Sequence, residues 1–128
     1  MISGTDFTIR EPEFVTRACS RVPAEVATPF EIEEMQAQCE EDQAMCLACE
    51  DGMVVVDLRP GAIGLEMFIW IAVAFRHGAF GRQDAALRAI GRDLGAQSIA
   101  FQARRRGWAR RLGPEWLCRG SNEFVRSI

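Results

Sequence analysis

Two hydrophobic periods alternate along the chain, and the places where the period changes predict its elements. Phe7-Thr8-Ile9-Arg10 has the β-branched and aromatic character of a short strand. Pro12 then suits the first turn of a helix reaching about Cys19. After Pro23, Thr28-Pro29-Phe30-Glu31 has the form of a capping box, with a hydroxyl at the cap, Pro at the first helical position and a carboxylate three residues on. The helix it opens has only a modest apolar stripe (Phe30, Ile32, Met35, Cys39), so it is expected to be exposed on its acidic outer side.

The period then shortens to that of strands. The apolar runs Ala44–Ala48 and Met53–Leu58 flank Glu50-Asp51-Gly52, and Asp-Gly predicts a two-residue hairpin turn with positive φ at both positions. Pro60, Gly61 and Gly64 read as a linker. Leu65 to Phe75 is too continuously apolar for a strand with one wet face and is expected to be the central strand. Gly78 and Gly81 interrupt it, and Ala86, Leu87, Ile90 and Leu94 then follow the 3.6-residue period of a helix from about Gly81 to Leu94, stopped by Gly95. Ser98–Gln102 predicts another strand, Arg104–Leu112 a short basic helix, and Trp116–Cys118 with Phe124–Ile128 a final hairpin around Gly120-Ser121-Asn122. The result is a single domain over residues 1–128 of mixed α/β (α+β) class.

Composition narrows the picture. The 128 residues are 48% hydrophobic and 26% charged, which suits a folded domain and disfavours disorder or coiled coil. The longest apolar run, Met67–Phe75, is about half of the roughly 20 residues that a membrane-spanning helix needs, so no membrane span is expected. The first residues lack the basic and apolar regions of a secretory signal, and a cytoplasmic location is expected. The net charge of −3 hides an asymmetry: residues 1–66 carry 14 acids against 4 arginines, net −10, and residues 67–128 carry 4 acids against 11 arginines, net +7. An arginine-rich half suits nucleic acid, coenzyme phosphates, or the acidic half of the same fold. For Arg104-Arg105-Arg106 and Arg110-Arg111, the negative total charge and the lack of a second aromatic platform beside Trp108 argue against nucleic acid. Five scattered cysteines are expected to be reduced thiols. Cys46-Leu-Ala-Cys49 lacks the further ligands a zinc site needs, with His77 the only histidine, so no metal is expected.

The segment with most chemical content is Trp70 to Arg82, a buried strand entering a glycine-containing loop that opens a helix. Such a loop presents backbone N–H groups at a helix N-terminus, where the dipole favours an anion such as phosphate. Taken with the element order, the chain resembles the GCN5-related N-acetyltransferase (GNAT) family over essentially its full length. It also resembles small GNAT-like proteins of tailed bacteriophages. The resemblance implies a central, mostly antiparallel sheet with the order strand, two helices, three strands, helix, strand, helix and two strands. The family's pyrophosphate loop is Arg or Gln, two arbitrary residues, Gly, one arbitrary residue, then Gly or Ala. Arg76, Ala79 and Gly81 stand at those positions, so Ala79 replaces a glycine.

The resemblance implies an acyl-CoA co-substrate, acetyl-CoA or another, and an amine acceptor that the sequence does not identify. The main chain around Ile71 and Val73, through Phe75, would meet pantetheine. The amides of His77, Gly78, Ala79, Gly81 and Arg82 would cradle pyrophosphate, and Arg82 with Arg104 or Arg105 would meet the adenosine phosphates. The helix from Gln102 to Gly113 places Gln102 near the family's usual Asn and Ala109 near its usual Tyr, and the chain contains no Tyr at all. Cys118 or solvent would then protonate the leaving thiolate, and Glu66, at the start of the central strand, stands where the base often is; the other reading of Glu66 is the wet end of a strand. The alternative to an enzyme is a GNAT-shaped phage accessory or virion-associated protein that works through contacts with a phage or host protein.

Overall fold

A computed structural model of the chain describes residues 4–104, 111–120 and 122–128. Its elements are β1 (Thr8–Ile9), α1 (Glu13–Ala18), α2 (Pro29–Glu40), β2 (Met45–Cys49), β3 (Gly52–Gly61), β4 (Gly64–Ala74), α3 (Ala79–Asp93), β5 (Ser98–Gln102), β6 (Leu117–Arg119) and β7 (Glu123–Ser127). The strands make one seven-stranded sheet in the order β1-β2-β3-β4-β5-β7-β6. Every pairing is antiparallel except that of β4 with β5. The mixed α/β class and the mostly antiparallel sheet therefore hold, with β4 in the middle. The basic helix expected over Arg104–Leu112 falls largely on residues 105–110, outside the described residues.

The capping box forms. Thr28 Oγ1 accepts the Glu31 amide at 3.2 Å, and the Glu31 carboxylate accepts the Thr28 amide at 3.1 Å. Gly95, with φ +85°, ends α3 as expected. Two turns differ from expectation. The loop between β2 and β3 is Glu50-Asp51, because Cys49 pairs with Gly52 inside the ladder, and neither turn residue nor Gly52 has positive φ. Gly52 is needed for a different reason: a Cβ there would collide with the Val73 carbonyl oxygen of β4. The expected linker at 60–64 is a second tight hairpin, with Gly61 paired to Gly64 and only Ala62-Ile63 between them.

A core lies on each face of the sheet. On one, Leu87 and Ile90 of α3 pack with Val54, Val56, Met67 and Ile69. On the other, Val15 of α1 and Met35 and Cys39 of α2 pack with Met53, Val55 and Ile71. Ile69 and Ile71 are two residues apart yet face opposite cores, which a regular strand forbids. The cause is a bulge: Val55 pairs with Ile71 and Val56 with Ile69, so Trp70 is the extra residue. Without it, one of the two isoleucines would point away from its core.

The contact at Gly52 generates a stability prediction. Gly52→Ala should cost about 3 kcal/mol in urea unfolding, because the new methyl forces β3 off β4. Gly81→Ala, in α3 with open space around it, should be neutral or stabilising by up to about 1 kcal/mol. Equal effects at both positions would contradict the close packing of Gly52 on β4.

Candidate functional site

β4 and β5 run side by side for only four residue pairs, from Glu66 with Ser98 to Ile69 with Phe101. Beyond that point β4 continues to Ala74 with β3 as its partner, and the β5 side of it is open. The Phe75 amide donates to the Asp51 carbonyl at 2.8 Å. Strand alternation then aims the amides of Val73 and Ile71 at β3, and those of Ala72 and Ala74 into the gap. The side chains of Ile71 and Val73 instead face the α1–α2 layer.

The connection from α1 to α2 closes over this gap and leaves a groove of about 890 Å³. One wall is β4 and the residue after it, from Ile69 to Phe75, and another is Phe101 to Arg104; Arg17 contributes from α1, and Ser20 and Arg21 from the connection. Phe14 of α1 meets Phe75 edge to face, with centroids 6.5 Å apart, and both rings line the groove. A side cavity of about 360 Å³ shares Val26, Trp70, Gln102 and Arg104 with the groove and adds Glu31 and Glu34. The Trp70 indole N–H, between the two, is buried with no hydrogen-bond partner among the described residues.

The residues suggested by the sequence divide into three groups. Ile71, Val73 and Arg104 line the groove. Arg76, His77, Gly78, Gly81 and Arg82 follow closely on Phe75 but do not line it, and Ala79 begins α3. Gly78 has φ +76° and caps α3 in the left-handed region, and the first N–H groups of α3 follow it five residues after the end of β4. The Arg82 guanidinium is taken: it grips the Asp51 carboxylate at 3.1 and 2.9 Å and donates to the His77 carbonyl at 2.9 Å. That pairing holds the Asp51 carboxyl below the usual carboxylate range and raises the Arg82 guanidinium. The His77 side chain is exposed.

Glu66 and Cys118 make the third group, and neither lines either cavity. Glu66 is 2% exposed, and its carboxylate lies in a two-pronged contact with Arg119 at 3.1 and 3.0 Å. Arg119 also holds Glu123 at 2.5 Å, and these carboxylates push its guanidinium further up. Glu66 is therefore neither a wet strand end nor a carboxylate open to the groove. Cys118 is exposed on β6, its Sγ 3.5 Å from the Gly120 carbonyl. Burial pushes the thiols of Cys19 and Cys39 up to about 11 and that of Cys46 to about 12, so they are packing groups rather than nucleophiles.

Arg17 and Arg21 belong to the groove without having been singled out from the sequence, and Trp70, read there only as the start of the strand–loop segment, lies on it as well. Nothing local marks Arg17 or Arg21, because only the tertiary position of α1 and the connection after it brings them there. Of the three guanidiniums on the groove, Arg17 is paired with Glu11 and Arg104 with Glu31 at 2.6 Å, while Arg21 has no ion pair among the described residues. The Glu31 carboxyl is held low, first by the Thr28 amide and then by Arg104. No group of three or more metal-ligating side chains occurs among the described residues, and none of their helices is long and apolar enough to cross a membrane.

The buried Glu66–Arg119 contact should be structural. Arg119→Met should cost about 2–3 kcal/mol in chemical unfolding, because it leaves a carboxylate buried without its counter-charge. Adding Glu66→Leu should recover most of that loss. A single variant as stable as the wild type would contradict the structural role of the pair.

No protein-family model matches the chain, and no curated protein matches it.

Proposed function

We propose that this chain binds an acyl-CoA in the groove beside β4 and transfers the acyl group to an amine, with a GNAT-like fold as its frame. The observation that carries the reading is the parting of parallel β4 from β5 after Ile69 and Phe101, with the main chain of Ala72 and Ala74 turned into the gap. An extended amide-containing ligand such as pantetheine can add to an open strand through these groups, as a further strand would. The volume of about 890 Å³ suits a ligand of that size. The amides at the start of α3 lie at the end of β4 where a diphosphate would emerge. The sheet order and the succession of elements also support the GNAT-like frame.

In the transfer, the amine nitrogen attacks the thioester carbonyl, a C–N bond forms, the C–S bond breaks, and the coenzyme thiolate leaves. The side cavity is the place for the amine, since it opens onto the groove at Trp70 and Gln102. Glu34 lines it and has no ion pair among the described residues, whereas Glu31 is held by Arg104, so the Glu34 carboxylate is the acceptor for the amine proton, directly or through water. Water protonates the thiolate, because Glu66 is bound to Arg119 and Cys118 is remote from the cavity lining. Proximity and orientation carry the rate in this scheme.

A second reading has its own support: a GNAT-shaped protein without catalysis, acting through a phage or host partner protein. The chain has no Tyr, and both acid–base candidates from the sequence lie off the groove. Calorimetry with acetyl-CoA, followed by an amine-acetylation assay, separates the two. The enzyme reading expects a Kd below about 1 mM, a binding free energy of about −4 kcal/mol or better. Ala72→Pro should abolish that binding, because the proline ring fills the gap-facing N–H position while the ladder to β3 keeps its donors. No heat from the wild type at millimolar acetyl-CoA would overturn the reading, whatever the variant does.

A further inference from the structure

The two guanidiniums nearest the start of α3 turn toward the β2–β3 hairpin instead of the groove. Arg82 grips both carboxylate oxygens of Asp51 and also donates to the His77 carbonyl, committing three of its five N–H donors. Arg76 lies 3.6 Å from Glu50 and 3.9 Å from Asp51. Two positive and two negative side chains thus face one another at the end of β4, and their charges offset one another beside the loop that opens α3. A carboxylate and a phosphate present guanidinium with the same paired oxygens, so Asp51 sits on Arg82 as a phosphate would.

This clasp is half-exposed on the arginine side and lies at a hairpin turn, so it is a weak and exchangeable ion pair. A diphosphate carries more charge and more acceptor oxygens than one carboxylate and can displace it. We propose that Asp51 is an internal competitor for the phosphates of the groove's ligand, occupying Arg82 until a diphosphate takes its place and thereby setting how much of the ligand's affinity comes from its charged end. The inference rests on the acyl-CoA reading and adds to it the regulation of the same site. It also gives the acidic turn Glu50-Asp51 a role that hairpin geometry does not require, since neither residue has positive φ. The uncharged pantetheine part of the ligand meets none of these charges.

The test is calorimetry at low ionic strength with coenzyme A and with pantetheine, on the wild type, Asp51→Asn and the double variant Asp51→Asn/Arg82→Gln. Asp51→Asn should bind coenzyme A about fivefold more tightly, a gain of about 1 kcal/mol. Pantetheine affinity should be unchanged in Asp51→Asn, and the double variant should lose the coenzyme A gain, because the guanidinium released by the first substitution is removed by the second. Coenzyme A binding that is unchanged or weaker in Asp51→Asn, a gain that pantetheine shares, or a gain that survives in the double variant would overturn the role of Asp51 and leave the acyl-CoA reading standing. A wild type that binds neither ligand would remove both.

Discussion

The structure depends on how long β4 and β5 stay together. Four residue pairs of parallel ladder hold the centre of the sheet, and past Ile69 and Phe101 the two strands separate. An unpaired stretch in the middle of a sheet is costly unless its donors meet water or a ligand. Here the stretch stays beside β3, and the bulge at Trp70 lets β4 change which residues face each core. Met67 and Ile69 serve the α3 side before the bulge, and Ile71 serves the α1–α2 side after it. The same irregularity places an indole between the groove and its side cavity.

Among the described residues, part of the charge asymmetry of the chain is met within it. Arg76, Arg82, Arg104 and Arg119, all from the basic half, reach Glu50, Asp51, Glu31 and Glu66 of the acidic half. Each pair bridges elements distant in sequence: hairpin to the α3 loop, α2 to the end of β5, β4 to β6. These contacts give register rather than large stabilisation, because all but Glu66 lie near solvent. Two charges at the cavities stand outside this pairing. Arg21 on the groove and Glu34 on the side cavity have no ion pair among the described residues.

Much of the fold was legible because it is encoded locally. Thr28 with Glu31 marks a helix start, Gly95 a helix stop, and the apolar continuity of Leu65 to Phe75 marks a central strand. The turns were harder, since Gly52 serves close strand packing and an Asp-Gly pair in sequence does not say which residue forms the turn. The site was legible only in outline. Ile71 and Val73 fall on the strand that lines the groove, but the alternation that turns Ala72 and Ala74 into the gap follows from the Phe75–Asp51 hydrogen bond, which no local pattern reveals. Glu66 looked available because strand ends are commonly wet; its partner Arg119 lies 53 residues away. Arg82 was read as a contact for a coenzyme phosphate, and in the structure its guanidinium holds the Asp51 carboxylate.

Amide hydrogen exchange along β4 tests the central claim most directly. If the β5 side of the strand is open, the amides of Ala72 and Ala74 exchange much faster than those of Ile71 and Val73, and acetyl-CoA slows the first pair selectively. Equal protection of all four amides in the free protein, or no response of Ala72 and Ala74 to saturating acetyl-CoA, would contradict the account.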